Sequence, residues 1–82
     1  MRRKPNPNYL FFVFDTDSDL IMSGWEYSLD ANEHRLELKE DTGSNKYKVY
    51  MRLTLEQKGI DPMDYNNWFS ILRRRKIKCQ KV

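Results

Sequence analysis

Eighty-two residues are enough for one core and too few for two, because a chain of this size buries only about two-thirds of the surface it exposes when unfolded. With 39% apolar and 33% charged residues the chain can close a core under a solvated exterior, which excludes disorder throughout, and its net charge of +3 favours an anionic partner over a cationic one. The longest aliphatic and phenyl run, Leu10 to Phe14, is five residues against roughly 20 for a membrane span. No membrane contact is therefore expected, and the single cysteine, Cys79, fits a cytoplasmic setting without an intrachain disulfide.

Residues 1–8, MRRKPNPN, combine two prolines, two asparagines and three cations, and read as a flexible basic arm. From Tyr9 to Phe14 the chain is aromatic and β-branched, which suits a buried strand, and Asp15-Thr16-Asp17-Ser18-Asp19 comes next as a tight turn. Leu20 to Met22 resume the apolar run. Trp25, Tyr27 and Leu29 then alternate with Glu26, Ser28 and Asp30, a period of two that predicts one apolar strand face.

Between 31 and 40 two patterns compete. Asp30 with Glu33 has the spacing of a helix capping box, whereas Leu36 and Leu38, two apart, share a face only in a strand. The strand reading gains from the neighbouring segment, where Tyr47, Val49 and Met51 alternate with Lys46, Lys48, Tyr50 and Arg52 beyond a five-residue loop containing Gly43. The pair predicts a hairpin in which Glu37 or Glu40 faces Lys46 or Lys48.

Helical signals begin at Thr54, which with Gln57 suits a short capped turn ended by Gly59. Asp61 then offers an N-cap, Pro62 a first helical residue, and Tyr65, Trp68, Phe69 and Leu72 an apolar stripe at i, i+3, i+4 and i+7. A helix over about 62–75 is expected, its last turn carrying Arg73, Arg74 and Arg75. The expected fold is α+β: an antiparallel meander of three or four strands over 9–53, packed by a C-terminal helix, in one domain spanning 9–75 with a basic tail at 76–82. Its expected core is Trp25, Tyr27, Leu36, Leu38, Val49, Met51, Trp68, Phe69 and Leu72.

Charge is sorted along the chain. Nine acids lie between Tyr9 and Asn45 against only Arg35 and Lys39, while Ile71 to Val82 hold six cations and no acid. Basic ends around an acidic middle suit contact with a polyanion, or with the protein's own carboxylates.

Four constellations invite a chemical reading. Asp15, Asp17, Asp19 and Glu26 fall at positions one, three, five and twelve of a calcium loop, but Leu20 stands where its obligatory glycine belongs, so an acidic hairpin turn accounts better for them and no metal is expected. The same aspartates lack the Gly-rich phosphate cradle that would make a Mg²⁺ phosphotransfer site. Residues 51–58 and 62–75 have the outline of a helix-turn-helix, with Asn66, Asn67 and Ser70 toward a groove and Arg73, Arg74, Arg75 and Lys76 on phosphates. His34 is the only histidine, and a dyad with Cys79 would join residues far apart in the chain. No cofactor and no catalytic group is expected.

The leading expectation is a non-catalytic module that contacts nucleic acid or a nucleoprotein through Arg2, Arg3, Lys4, Asn66, Asn67, Arg73, Arg74, Arg75, Lys76 and Lys78. The rival is an adaptor or inhibitor, of a size usual for phage or plasmid regulators, that docks on a protein through Asp15, Asp17, Asp19 and Glu26.

Overall fold

A computed structural model describes residues 4–69; Arg2, Arg3, Ser70, Leu72, Arg73, Arg74, Arg75, Lys76, Lys78 and Cys79 lie outside the described residues. Strand β1 (Phe11–Asp15) turns through Thr16–Asp19 into β2 (Leu20–Trp25), as the aromatic run and the aspartate-rich turn predict. Helix α1 (Ser28–Thr42) is next, then β3 (Tyr47–Met51) and helix α2 (Arg52–Gln57), and finally a 3₁₀ turn at Tyr65–Asn67.

The strands form one antiparallel sheet in the order β2-β1-β3. Because β2 and β3 both run against β1, they run parallel to each other, and a parallel pair needs a crossover longer than a hairpin loop. α1 is that crossover. The fold is thus α+β with three strands, and its long helix is central in the chain rather than C-terminal.

Both sheet faces are covered, which explains why central β1 is a nearly continuous apolar run. On one face α1 packs on Val13, Met22 and Tyr47 through Ala31, with Phe11, Trp25, Leu38, Val49 and Phe69 around them. On the other, Trp68 and Leu55 pack on Phe12, Phe14, Ile21 and Tyr9. A register shift between Val13 and Phe14 leaves Met22 as the extra residue of β2, so that Met22 and Ser23 both serve the α1 side while Ile21 serves the other. Gly24 is required by packing: a Cβ there would overlap the Tyr9 ring and lie 2.9 Å from Trp68 Cη2.

Several expectations are corrected. The segment 31–40 is helix, so the hairpin that set Glu37 and Glu40 opposite Lys46 and Lys48 does not form; β3 pairs with β1 instead. Ala31, His34 and Leu38 face the sheet at helical spacing, but an alanine and a histidine do not register as an apolar stripe. The helix also starts before Asp30, at Ser28 after Tyr27, and ends where Gly43, at φ +69°, donates its N–H to Lys39 O. The strand expected through Tyr27 and Leu29 stops at Trp25, leaving those side chains 68% and 77% exposed. Leu36 and Met51 are exposed as well, so the core forms around Phe12, Phe14, Ile21 and Leu55 in their place, with Trp68 buried among them as expected.

The helix expected from Pro62 is absent from the described part of its span. Asp61 accepts the N–H of Met63 on its carboxylate and that of Asp64 on its carbonyl; Asp64 in turn accepts from Asn66 and Asn67. Such local bonds compete with the helix ladder and wind the chain into successive turns. Trp68 is then extended, bridges in parallel to Ile21, and leads into a Phe69 N–H to Ile21 O bond of 2.8 Å. Extended backbone sends Trp68 and Phe69 to opposite core clusters, where a helix would have kept them on one side.

Candidate functional site

The acidic turn is built inward. Asp15 Oδ1 accepts the backbone N–H groups of Asp17 (2.9 Å) and Ser18 (3.3 Å), and Oδ2 meets Lys46 Nζ at 3.5 Å. Burial pushes the Asp15 carboxyl up, but the N–H groups of Asp17 and Ser18, the Ser18 hydroxyl and the Lys46 ammonium outweigh it and hold its pKa below the ordinary 3.8. Asp15 likewise raises the pKa of Lys46. Asp19, at φ +58°, donates its N–H to Asp15 O and closes the hairpin. Asp17, Asp19 and Glu26 remain exposed. The calcium-loop spacing is thus satisfied by hydrogen bonds within a β-hairpin, and the described residues hold no group of three or more His, Cys, Asp or Glu placed to share a metal.

Ser23, which that spacing put at loop position nine, lies under α1 instead. Its hydroxyl is 2.6 Å from His34 Nδ1 and accepts the Trp25 indole N–H at 2.7 Å. One hydroxyl thus accepts from the indole and shares a hydrogen bond with Nδ1, linking the two rings. This trio ties the middle of α1 to β2. Nothing in the sequence announces it, because Ser23 and His34 sit eleven positions apart on elements whose packing is set by the crossover.

At the other end of the sheet, the segment before β1 closes a turn: Asn8 donates its N–H to Asn6 Oδ1, and Tyr9 to Asn6 O. Arg52 Nη2 donates to Asn6 O (3.3 Å), Pro7 O (3.2 Å) and Tyr9 O (2.7 Å), while its guanidinium stands 5.5 Å from the Phe12 ring. Arg52 is therefore occupied by carbonyls rather than offered to a ligand.

Of the expected nucleic-acid contacts, Lys4 and Asn66 are exposed, while Asn67 is partly buried and donates its side-chain N–H to Asp61 O at 3.0 Å. Asn66 and Asn67 occupy a 3₁₀ turn and not a groove-reading helix, so the helix-turn-helix outline does not hold. Arg2, Arg3, Arg73, Arg74, Arg75, Lys76 and Lys78 are among the residues outside the described part.

The fold adds a spatial order to the charge. Residues 4–69 contain all twelve acids and seven of the fifteen Lys and Arg, a body five charges negative; the other eight cations are Arg2, Arg3 and those from Arg73 to Lys81. Within the body, Asp30, Glu33, Glu37, Glu40 and Asp41 ride on α1, whereas Lys46, Lys48, Arg52 and Lys58 lie on or beside β3 and α2. No family model, curated protein or solved structure matches the chain.

Proposed function

We propose that this is a small non-catalytic binding protein that contacts nucleic acid or a nucleoprotein through its basic ends. The observation that carries the reading is the partition of charge: an acidic folded body, with more than half of the cations concentrated in two short end segments. A polyanion is attracted by the ends and repelled by the net charge of the body, so the ends supply most of the electrostatic affinity and make the first contact. The heading of the chain supports a joint contact. At Phe69 it runs parallel to β2, toward the sheet end where Lys4 and Asn6 precede β1.

A protein-docking reading draws on the acidic hairpin and on the exposure of Asp17, Asp19 and Glu26. Its acidic set in the turn is reduced to Asp17 and Asp19, since the Asp15 carboxylate is engaged within the turn and Glu26 lies beyond the other end of β2.

Retention on heparin and on duplex DNA as a function of salt tests the proposal. The expected result is a linear fall of log affinity with log salt, with a slope of about −0.9 per phosphate neutralised, shallower by about 2 to 3 after joint replacement of Arg73, Arg74 and Arg75 by Ala. A slope near zero, or an unchanged slope in the triple variant, refutes it.

A further inference from the structure

On the sheet face opposite α1 an open cleft of about 490 Å³ is lined by Phe14, Thr16, Asp19, Tyr50, Lys58 and Ile60. The Tyr50 ring leans on Phe14, with centroids 5.5 Å apart and planes at 49°, and Lys58 Nζ stands 5.3 Å from the Tyr50 centroid. Lys48 is paired with Phe14 across β1 and β3, which puts its exposed side chain on the same face, two residues from Tyr50. A tyrosine supported from behind thus has one exposed lysine beside its ring and a second two residues along the strand on the same face. The sheet separates this row from the carboxylates of α1, so the cleft lies on the less acidic side of the body.

We infer that this cleft takes one unpaired base of a single-stranded nucleic acid, with Tyr50 as the stacking platform and Lys48 and Lys58 on the flanking phosphates. The inference rests on the nucleic-acid reading of the basic ends and adds the class of strand. A half-buried ring inside a cleft is reached by an unstacked base, whereas the bases of a duplex stay stacked on each other. Lys58 sits on a flexible stem at the end of α2, and stacking of a base outweighs an exposed cation–π contact, so the ammonium is free to move from ring to phosphate. Asp19, the carboxylate among the lining residues, suits the amino N–H donors of a base and disfavours a phosphate at that point, which orients the nucleotide base-inward.

Fluorescence anisotropy of the full chain with a labelled 12-nucleotide single strand and with its duplex, at matched salt, tests this. Tyr50→Leu should weaken single-strand binding about tenfold and duplex binding little, and Tyr50→Phe should stay within about twofold of the parent. Circular dichroism verifies that each variant is folded. Because Tyr50 also packs against Phe14, Lys48→Gln with Lys58→Gln provides a second variant confined to exposed side chains; the single-strand salt slope should become shallower by about 1.4. If folded Y50L loses affinity equally for both forms or for neither, or if the double lysine variant keeps its slope, the stacking site is refuted while the basic-end reading stands. If the parent binds no nucleic acid in either form, the reading of the basic ends falls and the cleft inference falls with it.

Discussion

At Asp15, burial works against ionisation of one carboxylate while two backbone N–H groups, a hydroxyl and an ammonium work for it, and these partners prevail. That balance sets the sign of the pH dependence. A carboxyl whose folded pKa lies below its unfolded value stabilises the fold above about 3.8, and that contribution is lost as pH falls through the folded value. Lys46, raised from 10.5, stabilises below that value and loses its contribution as pH rises past it. Between those limits both are in place. Asp15→Asn should lower the melting temperature at pH 7, and it should flatten the decline of stability on acidification below about pH 4, as monitored by thermal melts across pH. At this scale the sequence was informative about position: the spacing of Asp15, Asp17 and Asp19 marks the expected acidic turn, while the engagement of Asp15 by the turn's N–H groups and by Lys46, thirty-one positions away, was not legible.

Among the elements, the β1–β2 hairpin, β3 and the short α2 helix ending before Gly59 were all legible, because turn residues and alternation are local signals. α1 was not. Its sheet-facing stripe consists of buried Ala31 and partly buried His34 and Leu38, while Leu29 and Leu36 are exposed, so counting large apolar residues favours the wrong period. What holds it is partly polar. Ser23→Ala would deprive both the Trp25 indole and the His34 imidazole of a close partner, at an expected cost of about 1 to 3 kcal/mol. Urea denaturation should show this as a lower midpoint at unchanged m-value. The segment after Pro62 misled for the opposite reason: Tyr65, Trp68 and Phe69 have helical spacing, yet the side chains of Asp61, Asp64 and Asn67 bond to nearby backbone and leave no continuous ladder. The sites shared this division. Asp17 and Asp19 could be placed on an exposed acidic turn from sequence, whereas Glu26 lies beyond the opposite end of β2 and not in a continued strand; the Tyr50 cleft could not be read, since it assembles Phe14, Tyr50 and Lys58 from three elements brought together by the sheet.

For the whole molecule, the α+β class was readable from the change of period near residue 54, whereas the layering was not, because it depends on a crossover and on one tryptophan. Trp68 is fully buried, stacks edge-on against Phe12 at 6.0 Å, and donates its indole N–H to Pro62 O at 2.8 Å. It ties the last described turn to the sheet. Trp68→Ala should cost about 3 to 5 kcal/mol, a large share of the roughly 5 to 15 kcal/mol available to a small domain. Loss of the cooperative near-ultraviolet melt is the measurement that checks it.

The centre of the sheet is also the first strand to be made. Synthesis therefore supplies α1 for one face soon after β1 and β2, whereas the side carrying Phe12 and Phe14 stays bare until Leu55 and then Trp68 have been added. During that interval the apolar side of the hairpin is open to neighbouring nascent copies, and the chain's dense charge opposes their approach.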